Sequence, residues 1–348
     1  MATRRINGPV NMTDVAQRAG VSQSTVSRVI NNHPGISRRT RLNVLDSLRV
    51  LGYKSEVRDL IEPDRGEPLA VVLAMCPLPE QRDPFALEYF RLLADGVREG
   101  FGGESVNCRM MTLAADSAEL PDSDSVPDGV ILVGYPSEAL RAGLRREKIT
   151  YVITSGDIYA ADEDMVTVNN FEAGVEGCRY FLERGVTRIG FLLTPYNLAR
   201  FAGFQAELTR CGLSVRPEDC RMLPDTNLSS FIDAIHRWIA EKDLPEALVV
   251  SFVDAAETAR TILHLHGVRV PEDIRLLTFD HHCGRKSDIA GLHSDPYRLG
   301  FRSAKRLIEK VRTGDDGPIQ IVVSMTLSAN DLTQECPLKS NPQGGSEK

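Results

Sequence analysis

The chain has 348 residues, more than the roughly 250–300 at which a single hydrophobic core stops growing, so we expect two or three domains. Its composition, 42% hydrophobic and 26% charged, is typical of a globular protein, and no apolar run approaches the roughly 20 residues of a membrane span. The opening MATRRINGPVNM lacks the apolar segment of a secretory signal, so we expect a cytoplasmic protein with no membrane partner.

The charges are distributed unevenly along the chain. The net charge is −7, yet residues 1–60 contain ten Lys and Arg against four Asp and Glu, which gives this segment +6 and the remainder −13. A basic head on an acidic body indicates that only the head binds a polyanion.

Residues 11–52 predict three short helices. Asn11 or Thr13 can cap the first helix, which Gly20 ends, and Ser22 and Ser37 are suitable caps for the second and third. Apolar residues at helical spacing predict the inward faces. These faces would be formed by Val15, Ala16 and Ala19, then Val26, Val29 and Ile30, then Val44, Leu45, Leu48 and Leu51.

Two helices joined by a tight glycine turn, the second rich in hydroxyl and amide side chains, have the proportions of a helix-turn-helix that reads the DNA major groove. Gln23 can pair bidentately with adenine, and Arg28 with N7 and O6 of guanine. The hydroxyls of Ser22, Thr25 and Ser27 can bind phosphates. The alternative is a small helical bundle whose polar face is only solvated.

The stretch TDVAQRAGVSQSTVSRVINNHPGISRRTRLNVLDSLRVLGY resembles the headpiece of the lac repressor/gal repressor family. The family signature reads xxDVAxxAGVSxxTVSRVxN, followed by PxVS, TRxxV and LGY. The resemblance implies that Gln23, Ser24 and Arg28 select the operator sequence. It also implies that other residues position the helix on DNA, namely Met12, Ser22, Thr25, Ser27 and Asn31.

The segment that follows departs from the family pattern. Family members continue from LGY into a hinge helix, YxPNxxARxL, which orders on DNA and inserts a leucine into the minor groove. This chain reads YKSEVRDLIEPDRGEP, with five acids and two arginines in residues 55–67, a balance that opposes burial against phosphates. We expect a hinge or linker at 55–67, in which Leu60 is either a minor-groove wedge or part of a solvated linker.

From residue 68 onward, apolar strands alternate with amphipathic helices. The strands read LAVVLAM, GVILVG, ITYVIT, RIGFLL, ALVVSF and IRLLTFD, and the helices between them include ALEYFRLLADGVREGF and ARFAGFQAELTRCG. This alternation predicts an α/β fold with two parallel sheets covered on both faces. Ligands in such folds bind at the carboxyl ends of the strands.

This body is also similar to the same family, in which two flavodoxin-like lobes of the periplasmic-binding-protein type follow a helix-turn-helix headpiece. The matching phrases are DPF at 83–85, PDGV at 127–130, VNN at 168–170, FLERGVTRIGFL, RFAGF at 200–204, VRVPEDIRLLTFD and DP at 295–296. The resemblance implies a headpiece at 11–54 and an effector-binding and dimerisation domain at 68–332. The first lobe would span about 68–166 and 295–322, and the second about 167–294 and 323–332.

The resemblance also implies an effector site in the cleft between the lobes. Phe85 would line this cleft, Arg200 would bind polar groups of a small molecule, and Asp254 and Asp280 would accept hydrogen bonds from it. An arginine opposed by two carboxylates suits the recognition of hydroxyl or amide groups. The alternative is that these residues form interlobe salt bridges.

Several positions differ from the sugar-binding pattern of the family. The differing residues are Gly134, Ser155, Leu228 and Val253, and the segment LLTPYNLARF is shorter than usual before its arginine. These differences weaken the prediction that the effector is a sugar or sugar derivative, without affecting the predicted fold.

The sequence contains no GxSxG, no P-loop and no GxGxxG between a strand and a helix, so we expect neither an enzyme nor a cofactor. The seven cysteines include no CxxC pair, which argues against a disulfide framework and a structural zinc site. His281, His282, Cys283 and His293 could in principle bind zinc or copper, but they lack a recognised spacing, so we predict no metal site.

The tail, residues 333–348, is polar and rich in Gly and Pro, so we expect it to be disordered, with no leucine heptad for a tetramer. The sequence therefore predicts a repressor that binds a pseudo-palindromic operator as a homodimer. Its partners would be double-stranded DNA, a small-molecule effector and a second copy of itself. Two alternatives remain: an α/β small-molecule-binding protein or enzyme whose helical head docks a partner, and a regulator that has lost effector sensing.

Overall fold

The structure is a computed structural model, and it describes residues 11–31, 36, 38–51, 68–78, 88–121, 126–154, 162–279, 288–314 and 317–328. Three helices at the amino end form a small bundle: α1 Met12–Ala19, α2 Gln23–Ile30 and α3 Arg38–Val50. Its core contains Val15, Ala16, Val26, Val29, Val44 and Leu48, all buried. The predicted three-helix cassette is thereby confirmed, while the cap expected at Ser37 lies outside the described residues.

The first lobe is built on a six-stranded parallel sheet in the order β11-β5-β4-β3-β1-β2. Its strands are β1 Leu69–Cys76, β2 Val106–Thr112, β3 Gly129–Gly134, β4 Thr150–Thr154, β5 Met165–Val168 and β11 Gln320–Val323. Its helices are α4 Glu88–Gly100, α5 Glu138–Glu147 and α10 Pro296–Thr313. The order 2-1-3-4-5 of the first five strands is that of a flavodoxin-like sheet.

The second lobe repeats this arrangement in the order β12-β10-β9-β8-β6-β7. Its strands are β6 Ile189–Leu193, β7 Cys220–Met222, β8 Ala247–Val250, β9 Arg275–Phe279, β10 Ile289–His293 and β12 Thr326–Ser328. Its helices are α6 Asn170–Leu182, α7 Leu198–Arg210, α8 Leu228–Glu241 and α9 Val253–Leu265. The two predicted parallel sheets are confirmed, except that the short edge strand β12 pairs with β10 in the antiparallel sense.

Both faces of each sheet are covered, as continuous apolar strands require. In the first lobe one core lies under α4 and α10 and contains Leu93, Val97 and Leu307, and a second lies under α5 and contains Leu140 and Leu144. In the second lobe separate cores lie under the pair α6 and α7 and under the pair α8 and α9.

Over its described residues the chain passes between the two lobes three times. It leaves the first sheet after β5 and enters the second lobe at α6, returns after β10 to α10, and crosses again between β11 and β12. Tyr135, just beyond β3, contacts Tyr196, just beyond β6, so the carboxyl ends of the strands in the two lobes face each other across a cleft. Ligands bind at this end of the strands in such folds.

Candidate DNA-reading surface and interlobe cleft

The helix-turn-helix is held in shape by its caps. Asn11 caps α1 through its Oδ1, which accepts hydrogen bonds from the amides of Thr13 at 2.8 Å and Asp14 at 3.1 Å. Gly20 ends the helix with a φ of 65°, the left-handed conformation that glycine adopts without strain. Ser22 then caps α2 by accepting from the amide of Thr25 at 3.1 Å. The angle between α1 and α2 is thus fixed by local hydrogen bonds.

One face of α2 is buried and the other is open to solvent. Val26 and Val29 lie in the core of the bundle, whereas Gln23, Ser24 and Arg28 are exposed. The exposed face carries one cation and several neutral hydrogen-bonding groups, which is the chemistry required to read base edges in the major groove.

The remaining residues predicted to position the helix differ in solvent exposure and in the hydrogen bonds they already make. Ser22 and Asn31 are exposed, while Met12, Thr25 and Ser27 are half-buried. The Ser22 hydroxyl is already engaged, since its Oγ lies 2.8 Å from the hydroxyls of both Ser24 and Thr25. Asn31 donates from Nδ2 to the carbonyl oxygen of Ser27 at 2.9 Å. Leu60 lies outside the described residues.

Arg200 is a buried polar side chain near the cleft with contacts to two other elements of the second lobe. It lies in the first turn of α7, is 8% exposed, and donates from Nε to Oδ1 of Asn170 at 2.8 Å. Its guanidinium carbon lies 4.6 Å from the centre of the Phe279 ring, at the end of β9. The sequence predicted Arg200 as a binding residue but did not predict Asn170 as its partner, because the two residues are far apart in the chain.

Close packing of two helices determines where Arg200 lies. A Cβ added at Gly174 of α6 would overlap the carbonyl oxygen of Arg200, and one at Gly203 of α7 would overlap that of Phe171. The backbones of α6 and α7 can therefore approach only because both positions lack a side chain.

Of the other residues predicted to bind an effector, Asp254 is exposed in the first turn of α9, where its carbonyl accepts from the Thr258 hydroxyl at 2.7 Å. Phe85 and Asp280 lie outside the described residues, as do Ser155, His281, His282 and Cys283. The described part of the predicted site is therefore Arg200 and Asp254.

A buried polar network at the ends of β6 and β8 was not predicted. Oδ1 of Asn197 accepts hydrogen bonds from the Ser251 hydroxyl at 2.6 Å, the Thr194 hydroxyl at 3.0 Å and the Thr194 amide at 3.3 Å. The Thr194 amide also donates to the Ser251 hydroxyl at 3.0 Å. This network fixes a single 3₁₀ turn, Pro195–Asn197, between β6 and α7. The shortened segment LLTPYNLARF was the signal for this turn.

His293, at the end of β10, is 6% exposed and hydrogen-bonded to the hydroxyl of Ser328 on β12. Within the described ranges no group of three or more potential metal ligands is clustered. None of the described helices has the length and apolar character needed to span a lipid bilayer.

The chain matches two family profiles in succession. Residues 11–56 match "Bacterial regulatory proteins, lacI family", and residues 178–329 match "Periplasmic binding protein-like domain". The first match coincides with the three-helix bundle. The second covers most of the second lobe together with α10 and β11 of the first lobe.

Curated relatives share this arrangement over most of their length. The chain is similar to the HTH-type transcriptional repressor PurR of Mannheimia succiniciproducens, at 24% identity over 320 residues that cover 87% of this chain and 92% of the relative. It is also similar to catabolite control protein A of Priestia megaterium, at 25% identity over 290 residues, 78% of this chain and 82% of the relative.

Solved structures of the same fold include a complex described as "transcriptional regulator CelR-cellobiose complex", with a TM-score of 0.65, 19% identity, and coverage of 92% of this chain and 98% of that one. The lac repressor dimer bound to operator and the anti-inducer ONPF has a TM-score of 0.61, with the same identity and coverage. The chain thus contains a lacI-family helix-turn-helix domain followed by a periplasmic-binding-protein-like domain, and it is similar to bacterial transcriptional repressors over most of their length.

Proposed function

We propose that this protein is a cytoplasmic transcriptional repressor that binds a pseudo-palindromic operator as a homodimer. A small molecule held between the two lobes would alter its affinity for DNA. In this proposal residues 11–54 form the headpiece, 55–67 the linker, and 68–332 the effector-binding and dimerisation domain.

The observation that carries the proposal is the exposed polar face of α2. Gln23 and Ser24 lie in its first turn, where a recognition helix contacts base edges, and Arg28 lies just over one turn further along. Because Val26 and Val29 anchor the opposite face, these side chains are presented on a rigid helix. The net charge of +6 in residues 1–60 supplies the attraction to phosphates that the acidic remainder of the chain lacks.

A homodimer follows from the size of the reading surface. One short helix contacts only a few base pairs, so two headpieces related by a twofold axis are needed for a specific site, and their symmetry makes the operator pseudo-palindromic. The structural neighbour described as a lac repressor dimer bound to operator supports this arrangement.

The effector would bind at the carboxyl ends of the strands, beside Arg200. A guanidinium held by Asn170 and stacked on Phe279 is pre-organised to bind an oxygen-rich ligand. A sugar or sugar derivative fits this chemistry, and the neighbour described as a cellobiose complex supports it. A coupling free energy of about 1–3 kcal/mol between the effector site and the DNA-binding site would change the affinity for the operator roughly 5- to 150-fold.

DNA binding is tested by selecting operators from random duplexes and measuring affinity by gel shift. Arg28→Ala should weaken the binding free energy at the selected site by about 1–3 kcal/mol. It should also abolish the base preference at one position of each half-site. Arg18→Ala is the charge-matched control, because Arg18 is an exposed arginine on α1 that lies 3.9 Å from Asp46. If no palindrome is enriched, or if both variants lose affinity equally for all sequences, the operator-reading proposal is wrong.

Effector binding is tested by thermal-shift screening of sugars, sugar phosphates and nucleobases, followed by gel shifts with any stabilising compound. A compound that binds beside Arg200 should lose most of its stabilising effect in Arg200→Ala. An unchanged response in that variant would remove Arg200 from the site.

A second candidate is a regulator that no longer senses a small molecule. It is favoured by the Thr194–Asn197–Ser251 network, whose polar groups are hydrogen-bonded to one another at the carboxyl ends of β6 and β8, the edge at which ligands bind in such folds. Such a protein would select an operator normally but show neither a stabilising compound nor a change in DNA affinity.

A further inference from the structure

Two tyrosines from different lobes are in contact across the cleft. Tyr135 follows β3 of the first lobe, and Tyr196 lies in the 3₁₀ turn that follows β6 of the second lobe. Their ring centroids are 5.0 Å apart and the ring planes are inclined at 58°. Both rings are half-buried, and each lies at the carboxyl end of a strand, so the contact bridges the two walls of the cleft.

The backbone that carries Tyr135 is fixed within the first lobe. The amide of Tyr135 donates to the carbonyl oxygen of Cys76 at 2.8 Å. The preceding residue, Gly134, has a φ of 92°, and a Cβ at this position would lie 2.6 Å from the same oxygen. Only glycine fits this bend, which directs the chain from the end of β3 into the cleft.

The backbone that carries Tyr196 is fixed within the second lobe. Its neighbour Asn197 is 4% exposed and accepts three hydrogen bonds from Thr194 and Ser251, which are themselves buried. The turn cannot shift without breaking this network. The rings can therefore separate only by rotating about their own side-chain bonds or by movement of one lobe relative to the other.

We propose that Tyr135 and Tyr196 form an interlobe latch that favours the closed cleft, so that opening of the cleft requires separation of the two rings. The proposal rests on the proposed function only in assigning the cleft to an effector. A flat group stacked between two rings needs about 7 Å from ring to ring, since carbon atoms in contact are roughly 3.5–4.0 Å apart. At 5.0 Å the rings leave no such space, so an effector can pass between them only after they separate.

The size of the effect follows from the energetics of aromatic pairs. Such a pair is expected to shift the ratio of closed to open molecules by roughly 2- to 12-fold, beyond the contribution of the area it buries. The latch would thus set the fraction of molecules open to an effector that enters between the rings, and the apparent affinity of that effector would rise when the latch is removed.

The distance between the lobes in the full chain, without DNA or effector, tests the latch. Spin labels attached through p-acetylphenylalanine at exposed Arg146 of the first lobe and Ala240 of the second leave the cysteines unmodified. Tyr135→Ala and Tyr196→Ala should each lower the ratio of closed to open molecules by roughly 2- to 12-fold. The double variant should change no more than either single one, since both remove the same contact.

Two further variants make the result specific. Tyr196→Phe should retain the closed population because it keeps the ring, and Phe171→Ala, which removes an exposed aromatic side chain of the second lobe, should leave it unchanged. Identical distance distributions in the parent and in both alanine variants would overturn the latch, as would an equal loss in Tyr196→Phe. Because no DNA is present, neither outcome depends on operator binding, which the gel shifts test separately.

Discussion

The carboxylate of Asp164 and the guanidinium of Arg306 form an ion pair inside the first lobe, with 2.6 Å between Oδ1 and Nε and each side chain 1% exposed. Asp164 precedes β5 and Arg306 lies on α10, so the pair joins segments separated by the whole second lobe. Arg306 also donates to the carbonyl oxygen of Gly317 at 2.7 Å, and Lys310 contacts the same carboxylate. These contacts anchor α10 to the first sheet, which the chain left after β5.

Replacement of Asp164 by asparagine should destabilise the protein by about 3–5 kcal/mol, because it removes the buried counter-charge of Arg306 and leaves the exposed carboxylate of Glu309 beside its guanidinium. The free energy of unfolding in urea measures this loss. Glu309→Gln is the control: Glu309 contacts the same arginine at 3.1 Å but is 55% exposed, so its loss should cost less than about 1 kcal/mol. Equal losses of unfolding free energy in the two variants would show that burial does not determine how much each carboxylate contributes to stability.

Acid should weaken the second lobe through Glu207. Hydrogen bonds from Arg210 and Arg179 lower the pKa of this carboxyl to about 2. Since the pKa in the folded protein is below that of the unfolded chain, about 4.3, the contribution of Glu207 is complete above roughly pH 5 and is lost as the pH falls toward 2. Unfolding free energies between pH 7 and 3 should therefore fall less steeply in Glu207→Gln. Arg210→Gln should show part of the same change, and a slope unaltered in both variants would exclude Glu207 as a cause.

Gly174→Ala should lower the stability by about 1–3 kcal/mol, because the added methyl group forces α7 away from α6. The same shift would displace Arg200 from Asn170, so any effector response should weaken as well. Gly103→Ala, at a position where no atom lies within 4 Å of the added carbon, should change the stability by less than about 0.5 kcal/mol. Thermal melts of the two variants, recorded side by side, make the comparison.

Thiol reactivity should follow burial. Desolvation raises the pKa of both Cys76 and Cys178 to about 12, so almost no thiolate forms at neutral pH, whereas Cys211 is exposed. Brief treatment with iodoacetamide, followed by mass spectrometry, should find Cys211 modified, with Cys76 and Cys178 modified only after denaturation. Early modification of Cys178 would show that the packing of α6 opens in the native state.

The two roles of Ser22, cap and DNA contact, can be separated. Ser22→Ala should destabilise the headpiece by about 1 kcal/mol through loss of the bond to the Thr25 amide. Ser22→Asp keeps a capping oxygen and should preserve the stability while repelling phosphate. If Ser22→Asp binds the selected operator as tightly as the parent, Ser22 does not lie near the DNA backbone.

The elements that the sequence predicted well are those whose pattern is local. The headpiece helices follow from caps and apolar spacing, and β1 is recognisable because seven of its eight residues are buried, which requires a continuous apolar run. The strand β2, VNCRMMT, was missed because it is an edge strand whose seven residues are all exposed or half-buried. The antiparallel pairing of β12 with β10 could not be predicted, since strand direction depends on a distant partner.

The candidate site shows the same division. Arg200 was predicted from a local motif, but its contacts with Asn170 and Phe279 depend on the packing of α6, α7 and β9. The contact between Tyr135 and Tyr196 was not predicted, because it depends on the relative position of two lobes. Residue type and spacing alone contain no information about that position.

The three passages of the chain between the lobes have a consequence for synthesis on the ribosome. Helix α10 supplies Leu299, Ala304 and Leu307 to the core of the first lobe, although it is translated after nearly all of the second. The nascent first lobe therefore lacks helix α10, which covers one face of its sheet, until residues beyond 313 have emerged. At that stage the second lobe lacks only its edge strand β12. The lobe whose synthesis begins first therefore keeps one apolar face of its sheet uncovered until nearly the whole chain has been made, and that face must be shielded while the chain grows.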